Sequence, residues 1–169
     1  KICNYIDIPI QHASDRVLKA MRRRSTGESI KNTIKRLKEA IPDIHIRTTL
    51  ITGFPGESEE DFDILLDFVE EMKFARLGVF AYSQEENTPA GEMKDQIPDE
   101  IKQQRLDTIM RRQLDISLEM NREKIGKILE VLVEERDEDG SYVGRTRYDA
   151  PEIDNSVIFT SDRDLSPGN

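Results

Sequence analysis

The 169-residue sequence holds a single cysteine, Cys3, and no long apolar run. One thiol cannot close an intrachain disulfide, nor supply a set of cysteine ligands to a metal. A membrane-crossing helix takes about 20 consecutive apolar residues, so no membrane segment is predicted. No signal-like stretch opens the chain. These absences together lead us to expect a reduced, cytoplasmic setting.

Positive charge is also in short supply, with 25 Lys and Arg against 34 Asp and Glu and a net charge of -9. Broad binding to a phosphate backbone draws on Lys and Arg displacing counterions, so an acidic surface disfavours it. A basic partner protein suits such a surface, although a plainly acidic soluble protein would carry the same charge. Familiar catalytic patterns are missing too. No Ser-His-Asp order stands out, and no Gly-Lys-Ser/Thr marks a phosphate-binding loop. The two histidines, His12 and His45, have no paired carboxylate beside them and read as hydrogen-bonded structural residues. Glu85 and Glu86 read as solvated loop acids, with general acid–base work as the alternative. The chain opens on Lys1 rather than Met, and Leu165 to Asn169 reads as the middle of something. We therefore expect a fragment whose function depends on residues outside it.

What is present is a repeating strand–helix order. Tyr5 to Ile10 reads as a strand, followed by a short helix capped by Ser14 and running to Arg22-Arg23-Arg24. A second helix starts near Thr26 to Ser29 and aligns Ile30, Ile34, Leu37 and Ile41 until Pro42 stops it. Ile44 to Thr52 is the next strand, leading into the breaker-rich loop Gly53-Phe54-Pro55-Gly56-Glu57. Ser58 and Asp61 form a capping box before a helix bearing Phe62, Leu65, Val69 and Met72. Arg76 to Tyr82 is a third strand, and Pro98-Asp99 opens a long charged helix reaching about Asn121. Helices between strands imply a parallel sheet. Three such units fit half a barrel or part of an open sheet, and the pattern does not choose between them. Beyond Gly126 the residues alternate. Lys127 to Arg136, a turn at Asp139-Gly140, Ser141 to Tyr148 and Val157 to Thr160 read as a small antiparallel domain. The boundary falls between 1–123 and 124–169.

Ligands in parallel sheets bind at the carboxyl ends of the strands. Here those ends are Pro9 to Ser14, Thr52 to Glu57 and Tyr82 to Thr88, all polar or rich in Gly and Pro. The Gly53–Glu57 loop would let backbone approach a ligand and enters a helix amino terminus suited to an anion; an ordinary tight turn is the alternative. Arg47, mid-strand, needs an anionic partner. Asp7 on the neighbouring strand is one candidate, and a ligand carboxylate held bidentately is the other.

Three stretches in order resemble the strand-end motifs of radical S-adenosylmethionine methylthiotransferases. They are Asp7-Ile8-Pro9-Ile10-Gln11-His12-Ala13-Ser14, Arg47-Thr48-Thr49-Leu50-Ile51-Thr52-Gly53-Phe54-Pro55-Gly56-Glu57 and Tyr82-Ser83-Gln84-Glu85-Glu86-Asn87-Thr88-Pro89-Ala90. The segment from Lys127, with Gly144-Arg145-Thr146, resembles the opening of the TRAM domain that follows the barrel in that family. The resemblance implies an α/β fold: part of a parallel (β/α) TIM-like barrel of the radical S-adenosylmethionine type, then a truncated antiparallel TRAM domain. It implies S-adenosylmethionine as cofactor, two 4Fe-4S clusters whose ligands lie outside these residues, and a fragment inactive alone. By the same resemblance, Gln11, Arg47, Thr49, Gly53, Glu57, Tyr82 and Ser83 are the candidate cofactor-binding residues, with Arg47 or the Gly53–Glu57 loop meeting the methionyl end.

Gln11 to Ser14, Glu85-Glu86 and Asp149-Ala150-Pro151-Glu152-Ile153-Asp154 look like the branch that modifies an aspartate of a small-subunit ribosomal protein. The tRNA-modifying branch more usually shows Gln-Ser-Gly-Ser and Arg-rich equivalents. Charge agrees: residues 121–169 carry seven Lys and Arg against twelve Asp and Glu, a net of -5. A basic ribosomal protein is thus the expected partner and no direct nucleic-acid contact is expected. A tRNA methylthiotransferase and a non-catalytic binding module are the competing readings. The family usually has Gly at the position of Asn87, and Asn tolerates the same left-handed backbone.

Overall fold

A computed structural model describes residues 2–169. Its first half is a three-stranded parallel sheet in the order β1-β2-β3, with β1 at Tyr5–Asp7, β2 at His45–Thr52 and β3 at Arg76–Ala81. Burial alternates strictly along β2: Ile46, Thr48, Leu50 and Thr52 are buried, while His45, Arg47, Thr49 and Ile51 are partly exposed. The parallel register sets Leu50 beside Val79 and Thr49 beside Gly78, so the sheet has one covered and one open face. Ile46, Leu50, Leu77 and Val79 form a single core with Ile34 of α2 (Gly27–Ala40), Phe62, Leu65, Phe68, Val69 and Met72 of α3 (Glu59–Met72), and Ile109 and Ile116 of α4 (Asp99–Arg122). The open face leaves Phe80 63% exposed.

The helix starts follow from local chemistry. Ser58 and Asp61 form a reciprocal capping box at α3, and Thr26 and Ser29 form one at α2. Ser14 caps the short α1 (Asp15–Ala20) by accepting from the Val17 amide. That helix stops before the expected arginine triplet because Arg22 turns left-handed, at φ 58°.

Strand β1 is shorter than its apolar run. Asp7 pairs with Arg47, yet Gln11 bridges to Leu50, so three residues of the first chain oppose two of the second. This bulge sits where Pro9 has no amide to give. Thr48 stitches it together, its hydroxyl donating to the Ile8 carbonyl at 2.8 Å.

Beyond α4 a second, antiparallel sheet runs β4 (Val131–Arg136), β5 (Tyr142–Thr146) and β6 (Val157–Phe159) in that order. The expected strand over residues 127–130 does not form. Strand β5 pairs with β4 only as far as Val131, opposite Thr146, so those residues have no partner. The chain end closes the other side of β4, where the Asn169 carbonyl accepts from Val133 N–H at 2.9 Å.

Candidate active site

The carboxyl ends of the three strands share one edge of the sheet. Gln11 is tied to β2 through its amide to Thr49 O and its carbonyl from Ile51 N–H, both 2.8 Å. The Tyr82 amide donates to Thr52 O at 2.9 Å, which places Tyr82 beside Gly53. Gln11 holds φ 74°, a left-handed conformation that non-glycine residues keep only where the surroundings impose it. Tyr82 stands edge-on to Phe54 with ring centroids 5.3 Å apart, and its hydroxyl is buried with no hydrogen-bond partner. Ser83 Oγ donates to Glu85 Oε1 at 2.9 Å, and Asn87 takes φ 60°, the backbone a glycine would supply. Thr49 lies on the open face, beside Gly78.

Beneath this rim the charged residues are spoken for by the protein. Glu57 is 2% exposed. One oxygen takes Arg105 Nη1 at 2.8 Å; the other accepts the Gly53 amide at 2.9 Å and lies 3.4 Å from His12 Nε2. Ser14 N–H donates to His12 Nδ1 at 3.0 Å, which assigns the ring hydrogen to Nε2. The carboxylate expected at the cofactor thus binds three chain segments together instead. Gly53 is required for a related reason. A Cβ there would fall 2.2 Å from Lys102 Cγ, so the missing side chain makes room for α4 and not only for a ligand. Lys102 Nζ lies 5.6 Å from the Tyr82 ring centroid and bonds Asp99 at 2.8 Å.

Asp61 binds the rim to the helix layer, accepting from Ser14 Oγ at 2.6 Å, from the Ser58 amide and hydroxyl, and from Arg16. Burial pushes its pKa up, but the hydrogen bonds from Arg16, Ser14 and Ser58 outweigh that and hold it well below the usual carboxylate range.

Arg47 stands apart from the rim. Its Nη1 reaches Asp7 Oδ2 at 3.2 Å, and its Nε lies 3.9 Å from Asp154 Oδ1. Of the two partners open in the sequence, the structure shows the Asp7 pair, with Asp154 as a third member. A cleft of about 440 Å³ bounded by Arg47, Arg76, Met110, Leu114 and Asp154 lies at this amino end of the strands, away from the tips. Lys102, Arg105 and Arg76 take part in these contacts although the motifs did not single them out, whereas Asp154 lay in the Asp149–Asp154 stretch with no contact foreseen for it. The first two sit at helical spacing among Ile109, Gln113 and Ile116 on the buried stripe of α4, the one local signal that could have found them.

Residues 1–69 match the Radical SAM superfamily, and residues 125–169 match a TRAM domain. The first match falls on the part of the chain that forms the parallel sheet and the second on the part that forms the antiparallel one. Over nearly its whole length the chain is similar to methylthiotransferases. It is 54% identical over 167 residues to "Ribosomal protein uS12 methylthiotransferase RimO" of Clostridioides difficile, covering 99% of this chain and 38% of that protein. Proteins of the same name in Flavobacterium psychrophilum (53% over 159 residues, 94% of this chain and 36% of that protein) and Acetivibrio thermocellus (52% over 169 residues, 99% and 37%) are similar to it as well. The chain spans less than two fifths of the length of these relatives.

The superfamily implies S-adenosylmethionine and an iron–sulfur cluster. The rim fits the first. Its orphaned Tyr82 hydroxyl, its constrained Gln11 and the partly apolar open face of Thr49, Ile51, Gly78 and Phe80 suit an elongated ligand with apolar and polar ends. The cluster has no matching donor set here. Cys3 is the one thiol of the sequence and is exposed, and among the described residues no group of three His, Cys, Asp or Glu is placed to hold a metal.

Proposed function

We propose that this chain is the cofactor-facing second part of a radical S-adenosylmethionine barrel and the start of its substrate-docking domain. The complete enzyme, on this reading, methylthiolates the β-carbon of an aspartate in ribosomal protein uS12. The observation that carries it is the alignment of Gln11, Gly53 and Tyr82 along one sheet edge. When bound, the cofactor supplies hydrogen-atom abstraction from an unactivated carbon. Gln11, Thr49, Tyr82 and Ser83 bind and orient it, and Phe80 and Ile51 give it a water-excluding floor. Glu57 acts through others by fixing the Gly53 amide and the His12 and Arg105 side chains. The two 4Fe-4S clusters belong to residues outside this segment.

The acidic second domain favours a basic protein over RNA. A groove of about 450 Å³ there is lined by Glu134, Glu135 and Glu152 around Val143 and Pro151, with Arg145 paired to Glu134, and the remaining negative charge is what steers a ribosomal protein towards it. The test is the complete protein assayed on uS12 and on tRNA, with cofactor binding measured beside it. We expect uS12 to be modified and Tyr82→Phe to weaken cofactor binding roughly tenfold, the worth of about 1.4 kcal/mol. Modification of tRNA alone, or unchanged cofactor affinity in both Tyr82→Phe and Gln11→Ala, overturns the reading.

A further inference from the structure

Each strand of the parallel sheet carries a polar residue at its amino end on the open face: Tyr5 on β1, Arg47 on β2 and Arg76 on β3. All three converge on one loop of the second domain. Tyr5 Oη donates to Asp154 Oδ2 at 2.7 Å, Arg76 pairs with Asp149, and Arg47 Nε and Arg76 Nε each lie 3.9 Å from Asp154 Oδ1. The Asp154 and Asp149 side chains are 2% and 4% exposed. Carboxylates so far from water persist only where cations and donors compensate them. The contact widens at its edge, where Arg147 pairs with Asp43 and the His45 and Tyr148 rings stack at 4.0 Å.

The same two carboxylates also shape their own loop. Asp154 Oδ2 accepts the Ala150 amide at 2.9 Å, and Asp149 Oδ2 accepts Thr146 Oγ1 at 2.6 Å. Glu152 between them is held at φ 68°, a cost that a non-glycine residue bears only in an over-determined loop. Loop shape and docking are therefore one event. The spacing along the strands is equally telling. Gly53 and Tyr82 follow Arg47 and Arg76 by the same interval, about 20 Å of extended chain at 3.3 Å per residue, while Tyr5 and Gln11 stand opposite His45 and Leu50 across the bulge of β1.

We propose that Asp149 and Asp154 are positioning residues that lock the second domain against the amino ends of the strands. A substrate protein docked on that domain is thereby held at a fixed distance and angle from the cofactor rim. Arg47, on this view, reads the loop and not the cofactor. The inference rests on the functional reading given above for what is being positioned.

The test uses the complete protein with Asp154→Asn, Asp149→Asn and the double variant. Asparagine keeps the side-chain volume and the acceptor for the Ala150 amide but removes the charge that Arg47 and Arg76 answer. We expect amide exchange in residues 43–47 and 149–155 to quicken, with cofactor affinity unchanged within about twofold. The KM for intact uS12 should rise tenfold or more, while turnover of a short peptide around the target aspartate stays as in the parent. Unchanged exchange and KM in the double variant overturn the proposal. So does a parallel loss of cofactor affinity, which would place the two aspartates in the cofactor site. A parent enzyme that modifies no uS12 would sink the functional reading, and the exchange measurement would still judge the lock.

Discussion

His12 and Glu57 face each other inside the protein with Nε2 and Oε2 3.4 Å apart and both side chains fully buried. The approach joins the loop after β1 to the loop after β2, and Arg105 brings α4 to the same carboxylate. Removing the Glu57 side chain leaves the buried Arg105 guanidinium with the Glu57 backbone carbonyl, at 3.2 Å, and the exposed Glu59 as its remaining polar partners.

Glu57→Ala is therefore expected to cost about 3–5 kcal/mol, the usual penalty for stranding one member of a buried pair. Glu57→Gln should cost less than the alanine variant but stay destabilising, because its single amide oxygen replaces the acceptor of either Arg105 or Gly53 N–H and turns an NH2 towards the other. Urea unfolding of the 169-residue chain measures both. A loss below about 1 kcal/mol for the alanine variant would mean that Glu59 suffices for Arg105.

Gly53→Ala meets two obstacles. Its backbone sits at φ 71°, and the added methyl would lie 2.2 Å from Lys102 Cγ. The left-handed backbone costs about 1–2 kcal/mol and the overlap about 1–3 kcal/mol more. Pairing it with Lys102→Ala, which deletes that Cγ, should recover part of the overlap share and none of the backbone share. Denaturation of the two single variants and the double variant forms the cycle; strictly additive losses would refute the steric account.

Asp61 ties stability to pH. Its pKa is depressed in the folded chain, so the unfolded chain binds its proton first as the solution acidifies. The contribution is whole above the ordinary carboxylate value of about 4 and is lost as pH falls from there through the folded value. Asp61→Asn should lower stability at neutral pH and shrink the drop between pH 7 and pH 3. Melting curves at the two pH values decide it, and an undiminished drop in the variant would count against Asp61 as the titrating group.

His45 gives the domain contact its own acid response. Burial, chiefly, lowers its pKa below the ordinary imidazole value, while it lies stacked on Tyr148. An undocked His45 would take a proton near pH 6.5, so in the window below that value the undocked form binds more protons and gains. Docking should be firm above about pH 6.5 and loosen below it. Amide exchange of residues 149–155 compared at pH 7 and pH 5.5, corrected for intrinsic rates, measures this. Protection that is constant across the range in the parent, or a response that survives His45→Phe, would reject the mechanism.

How much of this the sequence carried depends on the range of the signal. The start of α2 near Thr26, the capping box of α3 and the breaker loop after β2 are written within four or five neighbouring residues, and they stand where the pattern put them. The strand tips were legible because Gly, Pro and polar residues cluster there and not at the opposite ends. Partners across the fold were not legible. Tyr5 and Asp154 are 149 residues apart, and no local pattern links an aspartate in a loop to a tyrosine on the first strand. The inward stripe of α4 was hidden because Lys102, Arg105 and Gln113 interrupt it, and a search for apolar periodicity passes over buried cations. Glu57 shows the reverse limit: a carboxylate in a ligand-binding loop looks like a ligand group until its protein partners are seen.

Helix α4 spans 24 residues, a rod of about 36 Å at 1.5 Å per residue. Its first turn wedges Lys102 beside Gly53 at the rim, and its last turn delivers the chain to the second domain. Deleting one residue midway would shorten the rod by only about 1.5 Å but swing everything behind it through about 100°, prising the buried stripe off the sheet. Reach along this axis can therefore change only in steps of about seven residues, two full turns and about 10 Å, as a screw advances by whole threads. A protein built on this plan that had to accommodate a larger substrate would show its adaptation as such a step, and not as a gradual lengthening.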